Sequence, residues 1–92
     1  MKKQQFYQNK NITGHKLAVW RKIRGLTQAQ LAARVQTMNV NLDQQAISRI
    51  ERNRRIVTDY ELACFCKALG LSEKDLLNNF DPALFTIDLR KK

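Results

Sequence analysis

The sequence has only two cysteines, one proline and three glycines among its 92 residues. That scarcity excludes a disulfide-built scaffold, a collagen-like chain and a low-complexity segment. Cys64 and Cys66 stand two positions apart, about 200° around a helix, so they cannot bridge each other there. A C-x-C pair with no further Cys or His nearby is not a zinc site, and no metal or other cofactor is expected. Cys66 reads as buried and Cys64 as partly exposed. The longest apolar run, Leu62 to Cys66, falls far short of the roughly 18 to 20 residues a membrane span needs. The start, MKKQQFYQNK, has no apolar stretch after its lysines and does not read as a secretory leader. A soluble cytoplasmic protein of one domain is expected, with no membrane partner.

Catalytic equipment is equally sparse. There is one histidine, His15, and there are two serines, Ser48 and Ser72. G-x-S-x-G, the P-loop, H-E-x-x-H and G-x-G-x-x-G are all missing. A chain this short also has difficulty enclosing a concave pocket. The sequence is not read as an enzyme.

What is present is positive charge, unevenly placed. No acid precedes Asp43, and residues 1–57 carry twelve Lys and Arg against Asp43 and Glu51. Residues 58–92 hold five basic and six acidic residues, so the whole net charge of +9 arises in the first three-fifths of the chain. A basic stretch of this kind points to a polyanion, most often nucleic acid. The plainer alternative is a soluble basic surface with no such partner.

Periodicity and capping signals predict five short helices and no βαβ alternation, an all-α fold. The first helix covers 15–24, with Leu17, Trp20 and Ile23 as its apolar stripe and Gly25 as terminator. The capping box Thr27-Gln28-Ala29-Gln30 opens the second, over 27–38, with Leu31, Ala32 and Val35 inward and Asn39 as its stop. Asp43 caps the third, 43–51, whose inner face is Ala46, Ile47 and Ile50. Thr58-Asp59-Tyr60-Glu61 opens the fourth, with Leu62, Phe65, Cys66 and Leu69 inward and Gly70 at its end. Ser72-Glu73-Lys74-Asp75 caps a short fifth helix holding Leu76 and Leu77. Residues 1–13 read as a flexible basic arm whose Lys2, Lys3 and Lys10 would suit a minor groove. The folded domain is placed at 14–79. The tail, 80–92, carries Phe80, Leu84, Phe85, Ile87 and Leu89. It alternates with period two over 85–89, a hint of a strand that packs on the domain or on a second subunit.

The third helix sets Gln44, Gln45, Ser48 and Arg49 opposite its apolar residues. Glutamine matches the adenine edge and arginine the guanine edge in a two-bond pattern, and a short helix with long polar side chains near its start is what major-groove reading requires. The starts of the second and third helices offer N–H groups to phosphate, with Gln28 close by. Arg52, Arg54 and Arg55 follow the third helix, suited to flanking backbone. The alternative is an ordinary solvated helix face. Trp20 and Phe65 read as core, and no exposed aromatic platform of the kind single-stranded RNA readers use is found.

Three segments, in order, carry a family resemblance. They are Arg21-Lys22-Ile23-Arg24-Gly25-Leu26-Thr27-Gln28-Ala29-Gln30-Leu31-Ala32, then Gln45-Ala46-Ile47-Ser48-Arg49-Ile50-Glu51-Arg52-Asn53, then Lys67-Ala68-Leu69-Gly70-Leu71-Ser72. Residues 14–77 resemble the helix-turn-helix of phage repressors and Cro-like (XRE) proteins. The resemblance implies a five-helix lambda-repressor-like domain that binds double-stranded DNA, usually as a homodimer on an operator. It implies base reading by Gln44, Gln45 and Arg49, with Ser48 on the same face. By motif position, phosphate contact would fall to Gln28, Asn53, Arg54 and Arg55; Thr27 and Arg52 are expected to add to them. It also implies an ion pair between Arg21 and Glu51; two independent surface charges are the alternative. The expected function is a sequence-specific transcriptional regulator, a repressor, without an effector domain. The alternative is a protein-interaction module, antitoxin-like, engaging another protein through 80–89.

One departure from the family stands between Val35 and Gln44, where eight residues replace the commoner four. They are expected to extend the second helix by a turn to Met38, with Met38, Val40 and Leu42 covering the added surface. The longer connector bears on the aim of the third helix. Asp43 would also stand close to phosphate, which affects which of Gln44 and Gln45 reaches a base.

Overall fold

A computed structural model of the chain describes residues 9–78. The arm residues Lys2 and Lys3 and the tail 80–92, with its expected strand and interface, lie outside the described residues. Five helices follow in order: α1 Gly14–Ile23, α2 Gln28–Gln36, α3 Gln44–Glu51, α4 Asp59–Leu69 and α5 Glu73–Leu77. There is no strand among the described residues.

Local chemistry sets most of the boundaries. Thr27 and Thr58 each accept a hydrogen bond from the third residue of the helix they cap, and Gln30 and Glu61 return the bond. Asp43 accepts from the Ala46 N–H at 2.8 Å and so caps α3. Gly25 and Gly70, at φ of 72° and 68°, turn the chain after α1 and α4, and Asn39, at φ 64°, does the same after α2. Such left-handed positions are open to glycine and tolerated by asparagine.

The core gathers one face of each helix. Leu17, Leu31, Val35, Ile47, Ile50, Phe65 and Leu76 are fully buried, with Trp20, Leu26 and Met38 packed against them. α3 lies on α1 and α2, and α4 lies beneath α2. The expected stripe on α1 is corrected at its end, because Ile23 is exposed and Arg21 occupies the inner position instead. Leu17 and Arg21 are four residues apart, a closer match to the helical repeat of about 3.6 than the strict three-residue spacing through Ile23. Cys64, expected to be partly exposed, is buried like Cys66.

The connector differs from expectation as well. α2 ends at Gln36 rather than Met38, and Thr37, Met38 and Asn39 continue as a tighter turn closed by bonds to Arg34, Val35 and Gln36 carbonyls. Val40 and Leu42 then turn inward and are buried, and the Gln36 side-chain amide holds the Leu42 carbonyl at 3.0 Å. Val40 and Leu42 thus join the core edge, while Thr37, Asn41 and Asp43 stay exposed.

Candidate nucleic-acid interface

Gln44, Gln45, Ser48 and Arg49 form i, i+4 pairs on one face of α3, opposite the buried Ala46, Ile47 and Ile50. Gln44, Gln45 and Arg49 are exposed and Ser48 is half-buried. That leaves long polar side chains free at the surface, above an apolar base that fixes the helix.

Glu51, the last residue of α3, fixes its orientation. One carboxylate oxygen accepts from Arg21 Nε at 2.7 Å, and the other accepts from Arg21 Nη2 at 3.0 Å and from Gln28 Nε2 at 2.9 Å. Arg21 Nη1 also donates to the Leu26 carbonyl at 2.8 Å, in the turn between α1 and α2. One carboxylate thus joins α1, the start of α2 and the end of α3. The Arg21 and Glu51 side chains are 10% and 6% exposed. The hydrogen bond to Glu51 raises the pKa of Arg21 further above its ordinary value, against the opposing effect of burial.

A family model described as Helix-turn-helix matches residues 17–76. The chain belongs to the XRE/Cro-like helix-turn-helix family. No curated protein and no solved structure gives a match. This helix-turn-helix protein is a DNA-binding regulator, and no helix among its described residues is long and apolar enough to cross a membrane.

The expected phosphate-contacting residues of the helix-turn-helix protein divide into two groups. Thr27, Arg52 and Arg54 are exposed, and Arg52 reaches back only to the Ser48 carbonyl at 3.3 Å. Gln28 is half-buried and gives an amide hydrogen to Glu51. Arg55 is engaged: its guanidinium donates to both Glu61 oxygens at 3.0 and 3.2 Å and to the Ile56 carbonyl at 2.8 Å. Burial alone would push the Glu61 carboxyl up, yet Arg55 and the Thr58 N–H together bring it below the usual carboxylate range. Asn53 is more fully committed. Its Oδ1 accepts from the Lys10 and Asn11 N–H groups at 2.7 and 2.9 Å, and its Nδ2 donates to Asn9 at 2.6 Å. At the start of α3 the Asp43 carboxylate occupies the Ala46 N–H and offsets the positive end of the helix.

Three features of this surface are not legible in the sequence. Residues 9–13, the end of the expected arm, are seated on the loop after α3. Asn11 spans that seat: its Oδ1 accepts from the Gly14 N–H at 2.8 Å, and its Nδ2 donates to the Ile50 and Arg55 carbonyls at 3.1 and 2.8 Å. Gly14 lies so close to α3 that a Cβ there would stand 1.9 Å from the Ile50 carbonyl oxygen. The only signal in the sequence is Asn11 three residues before Gly14, a spacing at which an asparagine side chain can accept from a backbone N–H. The second feature is the Gln28–Glu51 bond, and the third is the Arg55–Glu61 pair.

Proposed function

We propose that this protein is a sequence-specific repressor that binds duplex DNA as a homodimer, with α3 in the major groove. The observation that carries the reading is the polar row of exposed Gln44, Gln45 and Arg49 with half-buried Ser48, on a helix held at one end by Asp43 and at the other by Glu51. Gln44, Gln45 and Ser48 near the start of α3 and Arg49 one turn on meet base edges, Arg49 taking a guanine. Gln28, Thr27, Arg52 and Arg54 take phosphates on either side, while Asn53 and Arg55 shape the loop that carries Arg54.

Selection of bound duplexes from a random library tests this. The expected product is a palindrome with half-sites about one helical turn apart. Arg49→Ala should relax preference at one base position and cost about 1–3 kcal/mol. A library that yields no preferred duplex at about 100 mM salt, where phosphate contacts still contribute strongly, overturns the reading. Capture of a single protein in place of DNA would establish the interaction-module alternative.

A further inference from the structure

We infer that Lys10 is a phosphate-binding residue on the DNA-facing edge and that Asn53 is the positioning residue that sets it there. The inference rests on the DNA-binding reading above and deepens it. Lys10 lies more than thirty positions before α3 in sequence and outside every helix. In space it lines an open depression of about 470 Å³ together with Arg54, Arg55, Ile56 and Thr58. Lys10 and Arg54 are both exposed. The Arg55 charge is already matched by Glu61, so Lys10 and Arg54 carry the unmatched positive charge of this depression, which a phosphate of the flanking duplex backbone would complement.

An exposed lysine on a loose arm would contribute little, because the arm's ordering would cost conformational entropy at the moment of binding. Here the backbone at Lys10 is already fixed. Asn53 accepts from the N–H of Lys10 and of Asn11, and donates to Asn9. Asn11 is in turn anchored to the Ile50 and Arg55 carbonyls. Asn53 sits at φ 61°, which turns the loop back towards the segment it holds. The residue that the family pattern offers as a phosphate contact thus spends its side chain on placing another cation.

The test uses the full chain and the duplex that it selects, with affinity measured over a series of salt concentrations. Each phosphate contact contributes about −0.9 to the log–log slope. Lys10→Gln should make the slope shallower by about that amount and weaken binding evenly across sequences. Asn53→Gly keeps the left-handed backbone while deleting the three side-chain bonds. It should lose the same increment of slope, and the double variant should lose no more than either single one. Asn9→Ala, remote from the core, removes one bond of the seat and should give a partial loss if Asn53→Gly is too unstable to measure. A wild-type slope in Lys10→Gln overturns the assignment of Lys10. A wild-type slope in both Asn53→Gly and Asn9→Ala overturns the positioning role. If the unmodified protein selects no duplex at all, the DNA reading itself falls and takes this inference with it.

Discussion

Glu51 accepts three hydrogen bonds from two partners while nearly closed off from water. A carboxylate in that position is costly to leave unpaired, and so is the guanidinium opposite it. A buried pair of this kind adds little net stability over a well-packed apolar substitute, yet loss of one partner strands the other. Glu51→Ala should therefore lower the unfolding free energy by about 3 kcal/mol, read from a urea titration. Glu51→Gln should fall between, since an amide oxygen can still accept from Arg21 but no longer offsets its charge. The Arg21–Glu51 pairing was legible only through the family motif: thirty positions separate the two residues, and nothing in local periodicity joins them. Gln28 looks available for phosphate in the sequence, because its local context shows a helix start and nothing of the carboxylate that folds against it.

At the scale of helices, the capping chemistry was the most readable part of the chain. Thr27 with Gln30 and Thr58 with Glu61 involve residues three apart, so the same few side chains both announce and build the helix start. The α1 face was less readable, because a stripe through Leu17, Trp20 and Ile23 looks apolar while the helix actually turns Arg21 inward. The seat of residues 9–13 was illegible for a plainer reason: its bonds run between segments some forty positions apart. α4 offers a test through its cap. Glu61 is held below the usual carboxylate range by Arg55 and Thr58 despite its burial. A carboxyl depressed on folding contributes its full stability above the unfolded-state value, and that contribution disappears as pH falls through the depressed folded value. Glu61→Gln should therefore be less stable than the unmodified protein at neutral pH, with the difference shrinking towards acid, as followed by thermal unfolding across pH. A constant difference would show that Glu61 acts through hydrogen bonding alone.

For the whole molecule, the positive charge has two destinations that the sequence cannot separate. Some of it is internal cement. Arg24 Nε donates to the Leu69 carbonyl at 2.7 Å and its guanidinium stacks 5.1 Å from the Trp20 ring centre, while Arg34 donates to the Ala68 carbonyl at 2.9 Å. Both close the carbonyl end of α4, where a cation is favoured. Lys16 similarly reaches the Asn78 carbonyl and side-chain oxygens. Other cations among the described residues stay exposed at the surface, and of these Lys10, Arg49, Arg52 and Arg54 are the ones proposed to meet DNA. Arg24→Gln and Arg34→Gln should accordingly lower the melting temperature while leaving the salt slope of DNA binding unchanged. A shallower slope in either would mean that the DNA footprint extends to the α4 end. The contact between Gly14 and the Ile50 carbonyl carries a consequence of a different kind. α3 has only eight residues, too few to hold itself in water. Asp43 secures its first turn, and the segment before α1 clamps its last. If α3 enters the groove as proposed, it is thus a finished tool before it meets a duplex. Association by such a helix releases water and ions without first folding α3, so the heat capacity change of binding should contain no component from the folding of that helix.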